Sequence, residues 1–230
     1  MEDLLRDYNE RKQEIECYYK FLRKISSKFY TLKNTRSRKE ECLDDRIAKI
    51  LKANTFLLLY NLIESTTDKA IEYICTEITS SNVKYSEIIE DIKNQWTKVQ
   101  TKCHLKTNDE GALRKALKQI LDKTINDYIR FENQYKLKYR DNIDSSELRK
   151  IAKDFGFNLE FATSLKGGKS LDEILQKRNN LAHGSMLFSD CGRDYTLIDL
   201  TQYKNDTYKI LEKFLKMIDS YIKKQKYKSN

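Results

Sequence analysis

The chain has 230 residues, a net charge of +9 and 34% charged against 39% hydrophobic residues, enough apolar material for one domain or two small ones. No proline and only six glycines interrupt it, which argues against a loop-rich or strand-rich protein and for long helices. Five widely spaced cysteines (Cys17, Cys42, Cys75, Cys103 and Cys191) form no C-x-x-C pair, a pattern of reduced thiols that argues against a disulfide framework or zinc site.

The N-terminus is charged and has no apolar signal core, so the expected location is cytoplasmic. Leu4 to Leu32 predicts one long helix, with Leu5, Tyr8, Ile15, Tyr18, Tyr19 and Leu22 near helical spacing. Residues 34–45 are polar and charge-dense and predict a connector. A second helix spans about Asp45 to Ile78. Its stretch from Ala53 to Glu64 is apolar nearly all round, which predicts burial on several sides. It is too short and too interrupted, by Tyr60 and Asn61, to span a bilayer.

After a break at Ser80–Asn82, Ser86 is expected to cap a helix through Trp96 and Val99. His104 to Asn108 reads as a loop, His104 being an exposed loop residue. Asp109 opens a helix to about Tyr139, and Ser145 opens a short one that stops at Gly156. Residues 157–168 read as irregular, and Ser170 is expected to cap a helix to Ala182. The stretch 185–199 predicts an irregular loop with room for a short hairpin. Asp199 or Thr201 then starts a last amphipathic helix, and the basic tail Lys223 to Lys228 is expected to fray. The fold class is all-α: a single bundle of five to seven helices over residues 1–230.

The most informative string is Arg178-Asn179-Asn180-Leu181-Ala182-His183-Gly184, ending a predicted helix at a glycine stop. Asn179 and His183, four apart, share a face, and Arg178 can swing to the same rim. Arginine is a permanent cation that forks onto phosphate, and histidine passes protons near neutral pH. The helix dipole at a C-terminal turn favours the imidazolium. Because RNA carries its own nucleophile, the 2′-OH, these groups suffice for metal-free cleavage. His183 moves protons, Arg178 clamps the phosphate, and Asn179 orients His183 or holds a phosphate oxygen. One chain supplies one such histidine, so two chains across a two-fold axis would supply both proton transfers. No cofactor and no metal is called for. The other reading of the string is an ordinary surface ion pair and a helix cap.

The string, with an Arg, a following Asn and a Gly after the His, resembles the signature of the HEPN superfamily. Leu51 to Ser65 and Gly192 to Leu200 are similar to blocks of the MAE-type HEPN-like nucleases, as are Arg11, Glu14 and Tyr18. The resemblance implies an all-helical, homodimeric, metal-independent endoribonuclease. It would act on RNA in a cleft shared by two motifs, leave a 2′,3′-cyclic phosphate, and serve as a toxin or effector in microbial defence or toxin–antitoxin systems. A cognate antitoxin or defence partner is implied, and no membrane. Arg178 and His183 inherit the catalytic roles and Asn179 the supporting one. Ser185 stands where toxins silenced by nucleotidylation carry Tyr. A non-catalytic HEPN module that binds RNA or a protein is the alternative.

Three further residues are candidates for support or RNA binding. Asn61 and Glu64 are polar on an otherwise apolar helix; Asn61 either bonds inside the bundle or faces the cleft, and Glu64 can steer Arg178. Arg193 offers either a second phosphate contact or a surface ion pair. The basic balance fits a polyanion partner, or only the Lys-, Asn- and Ile-rich bias of an AT-rich genome.

Overall fold

The computed structural model describes residues 1–26, 44–104, 109–131 and 142–229, together with the backbone pairing of 32–33 with 40–41; the side chains of 32–33, 40–41 and 102–104 are outside that description. The protein is all-α. Eight α-helices lie among the described residues: α1 (Glu2–Ile25), α2 (Asp45–Ser80), α3 (Glu90–His104), α4 (Glu110–Asn126), α5 (Ser145–Asp154), α6 (Lys169–Ala182), α7 (Phe188–Arg193) and α8 (Leu197–Lys223). Short 3-10 turns cover Tyr85–Glu87 and Thr163–Gly168. No helix among the described residues is long and apolar enough to cross a membrane.

The chain forms two compact units, one of residues 2–66 and 161–211, the other mainly of 67–160 and 212–230. The first holds the Arg–Asn–His string. Its core is built where α2 is apolar all round: Ala53, Phe56, Leu59, Leu62 and Ile63 are fully buried. The edge of the Phe56 ring meets Tyr195 at 4.9 Å, and Tyr203 of α8 lies 5.7 Å from Phe56. Tyr18 of α1 donates its hydroxyl to the Leu51 carbonyl of α2 at 2.5 Å. Between α1 and α8, Lys204 forms an ion pair with Glu16.

Several element boundaries differ from expectation, each for a local reason. Helix α1 stops at Ile25, and of the expected connector a two-residue antiparallel ladder is seen, Leu32 and Lys33 against Glu41 and Glu40. Residues 27–31, 34–39, 42–43 and 132–141 lie outside the described residues, and with them parts of the expected first helix, connector and Asp109 helix, as does the Leu105–Asn108 part of the expected loop. His104 ends α3. Ser86 caps nothing: it sits inside a 3-10 turn whose Glu87 side chain accepts from the Lys84 N–H at 2.8 Å, and α3 begins at Glu90. The α4 helix has its Asp109 cap but ends at Asn126, because the chain then turns extended. Ile129 donates its N–H to the Val83 carbonyl at 2.8 Å and Phe131 donates to the Thr79 hydroxyl at 3.0 Å, both residues being buried. Helix α5 opens at Ser145 as expected, with Asp144 as its cap. The tail does not fray at Lys223: Tyr227 is buried, its carbonyl accepts from Ile89 N–H, and Ser229 donates to the Glu87 carbonyl.

Two corrections fall near the site. The stretch 185–199 contains no hairpin. It holds α7, and α8 starts before Asp199. Thr196 and Asp199 cap α8 reciprocally: the Asp199 carboxylate accepts from the Thr196 N–H and hydroxyl, and the Thr196 hydroxyl accepts from the Asp199 N–H. These bonds hold the Asp199 carboxyl below its usual range. Cys17, Cys75 and Cys191 are free thiols, and burial pushes Cys75 up to about 12.

Candidate functional site

Helix α6 begins after three left-handed residues, Lys166, Gly167 and Gly168, and Gly168 occupies the N-cap. Ser170 is therefore not the cap. Its hydroxyl donates to Asp206 of α8 at 2.7 Å, and Gln202 donates to the other oxygen of the same buried carboxylate at 2.7 Å. A buried carboxylate needs such donors, and this pair fastens the first turn of α6 to α8.

One face of α6 is packed, through Leu171, Ile174 and Leu181. Arg178 follows Ile174 by four and precedes Leu181 by three, so it lies on that packed face, where an aliphatic residue would be routine. It is half-buried. Its guanidinium rests 4.4 Å from the centre of the Tyr60 ring of α2. Its Nη1 donates to the Asn179 side-chain oxygen at 2.9 Å. A weakly hydrated planar cation over an aromatic face is the arrangement that tolerates partial burial. Tyr60 itself is buried, and its hydroxyl approaches a Glu64 carboxylate oxygen at 3.5 Å. The link from Glu64 to Arg178 thus runs through Tyr60.

His183 stands where α6 ends. It is the C-cap, exposed, with φ −88° and ψ 0°. The next residues close a Schellman motif: Ser185 N–H donates to the Asn180 carbonyl at 3.0 Å and Gly184 N–H to the Leu181 carbonyl at 3.3 Å. That motif requires a left-handed residue, which Gly184 supplies at φ +70°. Nothing lies within 4 Å of where a Gly184 side chain would start, so the backbone beside His183 is open to approach. The Ser185 hydroxyl is engaged with the Asn180 carbonyl at 3.1 Å.

Asn179 serves two neighbours: its side chain receives Arg178 and its backbone carbonyl receives the His183 N–H at 2.9 Å. Its side-chain oxygen thus meets the arginine while its backbone meets the histidine. Asn61 is exposed, and its side-chain oxygen accepts from Arg11 Nη1 at 2.7 Å, tying α2 to α1. Arg193 is exposed on α7 and pairs with Asp190 at 3.4 Å and Asp194 at 4.0 Å.

On its other flank α6 is held by Tyr195, whose hydroxyl donates to Glu173 at 2.5 Å. Burial, then the Glu173 carboxylate, push the Tyr195 phenol far above its ordinary value, so it stays a donor. Lys177 lies over the same ring at 5.4 Å. Among the described residues no group of three or more His, Cys, Asp or Glu is placed to hold a metal ion.

Sequence reasoning selected Arg178, Asn179, His183, Asn61 and Glu64, and did not give Tyr60 its part. The signal available was a phenol four before Glu64 in the apolar stretch of the helix, but its partner across 118 residues of sequence is a tertiary fact. A family model described as HEPN_MAE_28990-like HEPN matches residues 1–227. No curated protein and no solved structure matches the chain.

Proposed function

The chain belongs to the HEPN_MAE_28990-like HEPN family, and on that premise we propose that it is a metal-independent endoribonuclease acting as a homodimer. The observation that carries this reading is Arg178, a cation set on the packed face of α6 and steadied by Tyr60 and Asn179, five residues before an exposed histidine beside an open glycine. A guanidinium held in advance has little ordering left to lose when it meets phosphate.

In the proposed reaction His183 of one copy takes the proton of the ribose 2′-OH. The freed O2′ attacks the adjacent phosphorus, and Arg178 stabilises the charge that accumulates on the phosphorane oxygens. The bond from phosphorus to the 5′-oxygen breaks, and His183 of the second copy delivers the proton that oxygen needs. The products are a 2′,3′-cyclic phosphate and a 5′-hydroxyl end. Such an enzyme fits a cytoplasmic toxin or effector restrained by a cognate antitoxin or defence partner. The engaged Ser185 hydroxyl offers no phenol for silencing by nucleotidylation.

End-labelled RNA incubated with the protein in excess EDTA tests the reading. The expected result is cleavage with 2′,3′-cyclic phosphate ends, identified by their opening in dilute acid to a mixture of 2′- and 3′-monophosphates. RNA left intact at micromolar protein, with or without divalent ions, overturns the nuclease and leaves a non-catalytic HEPN module.

A further inference from the structure

Four side chains on α1 and α2 form a cluster that the reaction above does not use. Arg11 donates Nε to an Asp7 carboxylate oxygen at 3.0 Å and Nη1 to Asn61 at 2.7 Å, and Ser65 donates its hydroxyl to the same Asp7 oxygen at 3.3 Å. Asn61 and Ser65 are four apart and share one face of α2, while Tyr60 and Glu64 share the next. The residue that braces Arg11 is thus the chain neighbour of the residue that carries Arg178, their Cα atoms about 3.8 Å apart.

We infer that Arg11 is a second phosphate contact of this site, gripping the RNA backbone next to the phosphodiester that Arg178 holds. The inference rests on the nuclease reading for its substrate but not for its geometry. Two of the five guanidinium donors are spent on Asp7 and Asn61, which fix the plane of the group, and the fork retains others suited to phosphate oxygens. The side chain is 33% exposed, so solvent and a ligand reach it. The pair with Asp7 is half-buried and, with Asn61, holds the guanidinium plane in one orientation. Contacts of this type position a backbone without reading sequence, and each adds to the salt dependence of binding.

The test is binding, separated from cleavage by working in a His183→Ala background. Fluorescence anisotropy with a labelled single-stranded RNA is followed from about 50 to 200 mM salt. Arg11→Ala is expected to weaken binding about tenfold and to lower the slope of log K against log salt by about 0.7. Arg11→Lys should keep the slope while losing part of the affinity, since the charge remains and the fork is lost. A structural part for Arg11 would shift melting and leave the slope alone. An unchanged slope in Arg11→Ala overturns the inference, as does an absence of RNA binding by the parent. If the parent binds with the expected Arg11-dependent slope while the wild type never cleaves, the nuclease reading has failed and this inference stands.

Discussion

His183→Ala is expected to abolish RNA cleavage, with a loss of about 10⁴-fold or more, without moving the melting temperature. Each general acid or base contributes on the order of 10²–10⁴-fold. In a two-fold symmetric site one substitution removes both, because the base from one copy and the acid from the other are the same position in the sequence. His183 is exposed and caps α6 through its backbone N–H, which alanine also possesses, so stability should change by less than about 0.5 kcal/mol. Arg178→Ala should cost about 10²–10³-fold through the lost phosphate clamp. It is the less clean experiment, since it also uncovers the Tyr60 ring. Arg178→Lys keeps a charge but not the planar fork, and should recover little activity. The composite site is tested by mixing: inactive His183→Ala protein added in excess and allowed to exchange subunits should depress wild-type activity more steeply than dilution does. Cleavage by His183→Ala at more than about a hundredth of the wild-type rate would remove the histidine from the chemistry.

The parts legible in the sequence were those that depend on local periodicity. The all-round apolar stretch of α2 announced a buried helix, and Ala53 to Ile63 supply much of the core. The string at 178–184 was legible because its elements are local: a packed stripe through Ile174 and Leu181, and a glycine one step past the C-cap where the chain turns left-handed. The parts that failed depend on partners far along the chain. Ser170 looks like an N-cap but is claimed by Asp206, 36 residues on, and Gly168 takes the cap. The contacts of Tyr60 with Arg178 and of Arg11 with Asn61 depend on helix pairing, since neither residue type at its own position says which helix it will meet. Helix α7 was hidden for another reason: at six residues it is too short for a period to show, and its glycine reads as a break.

That glycine is where the largest effect on stability is expected. A side chain built on Gly192 would begin 1.8 Å from the Lys49 carbonyl oxygen of α2 and 2.6 Å from its carbon, both backbone atoms that no rotamer change can clear. Gly192→Ala must therefore lift α7 until the contact approaches about 3.5 Å. The lift strains the turn that follows, where Lys52 donates to the Tyr195 carbonyl at 3.0 Å and Phe56 packs on the Tyr195 ring. Overpacking of this kind costs about 3 kcal/mol, and in a chain of this size each kcal/mol lowers the melting temperature by about 2–4 °C, so a fall of about 6–12 °C is expected. Gly184→Ala separates the causes. Its side chain would meet open space, leaving only the left-handed strain of about 1–2 kcal/mol, so its melting temperature should fall by about half as much. Because Tyr195 also holds Glu173 of α6, displacement of α7 should reach the Arg178 helix. Gly192→Ala is accordingly expected to lose RNA cleavage at temperatures where it is still folded by circular dichroism. A melting temperature equal to that of the wild type would mean that α7 does not rest on α2 through this glycine.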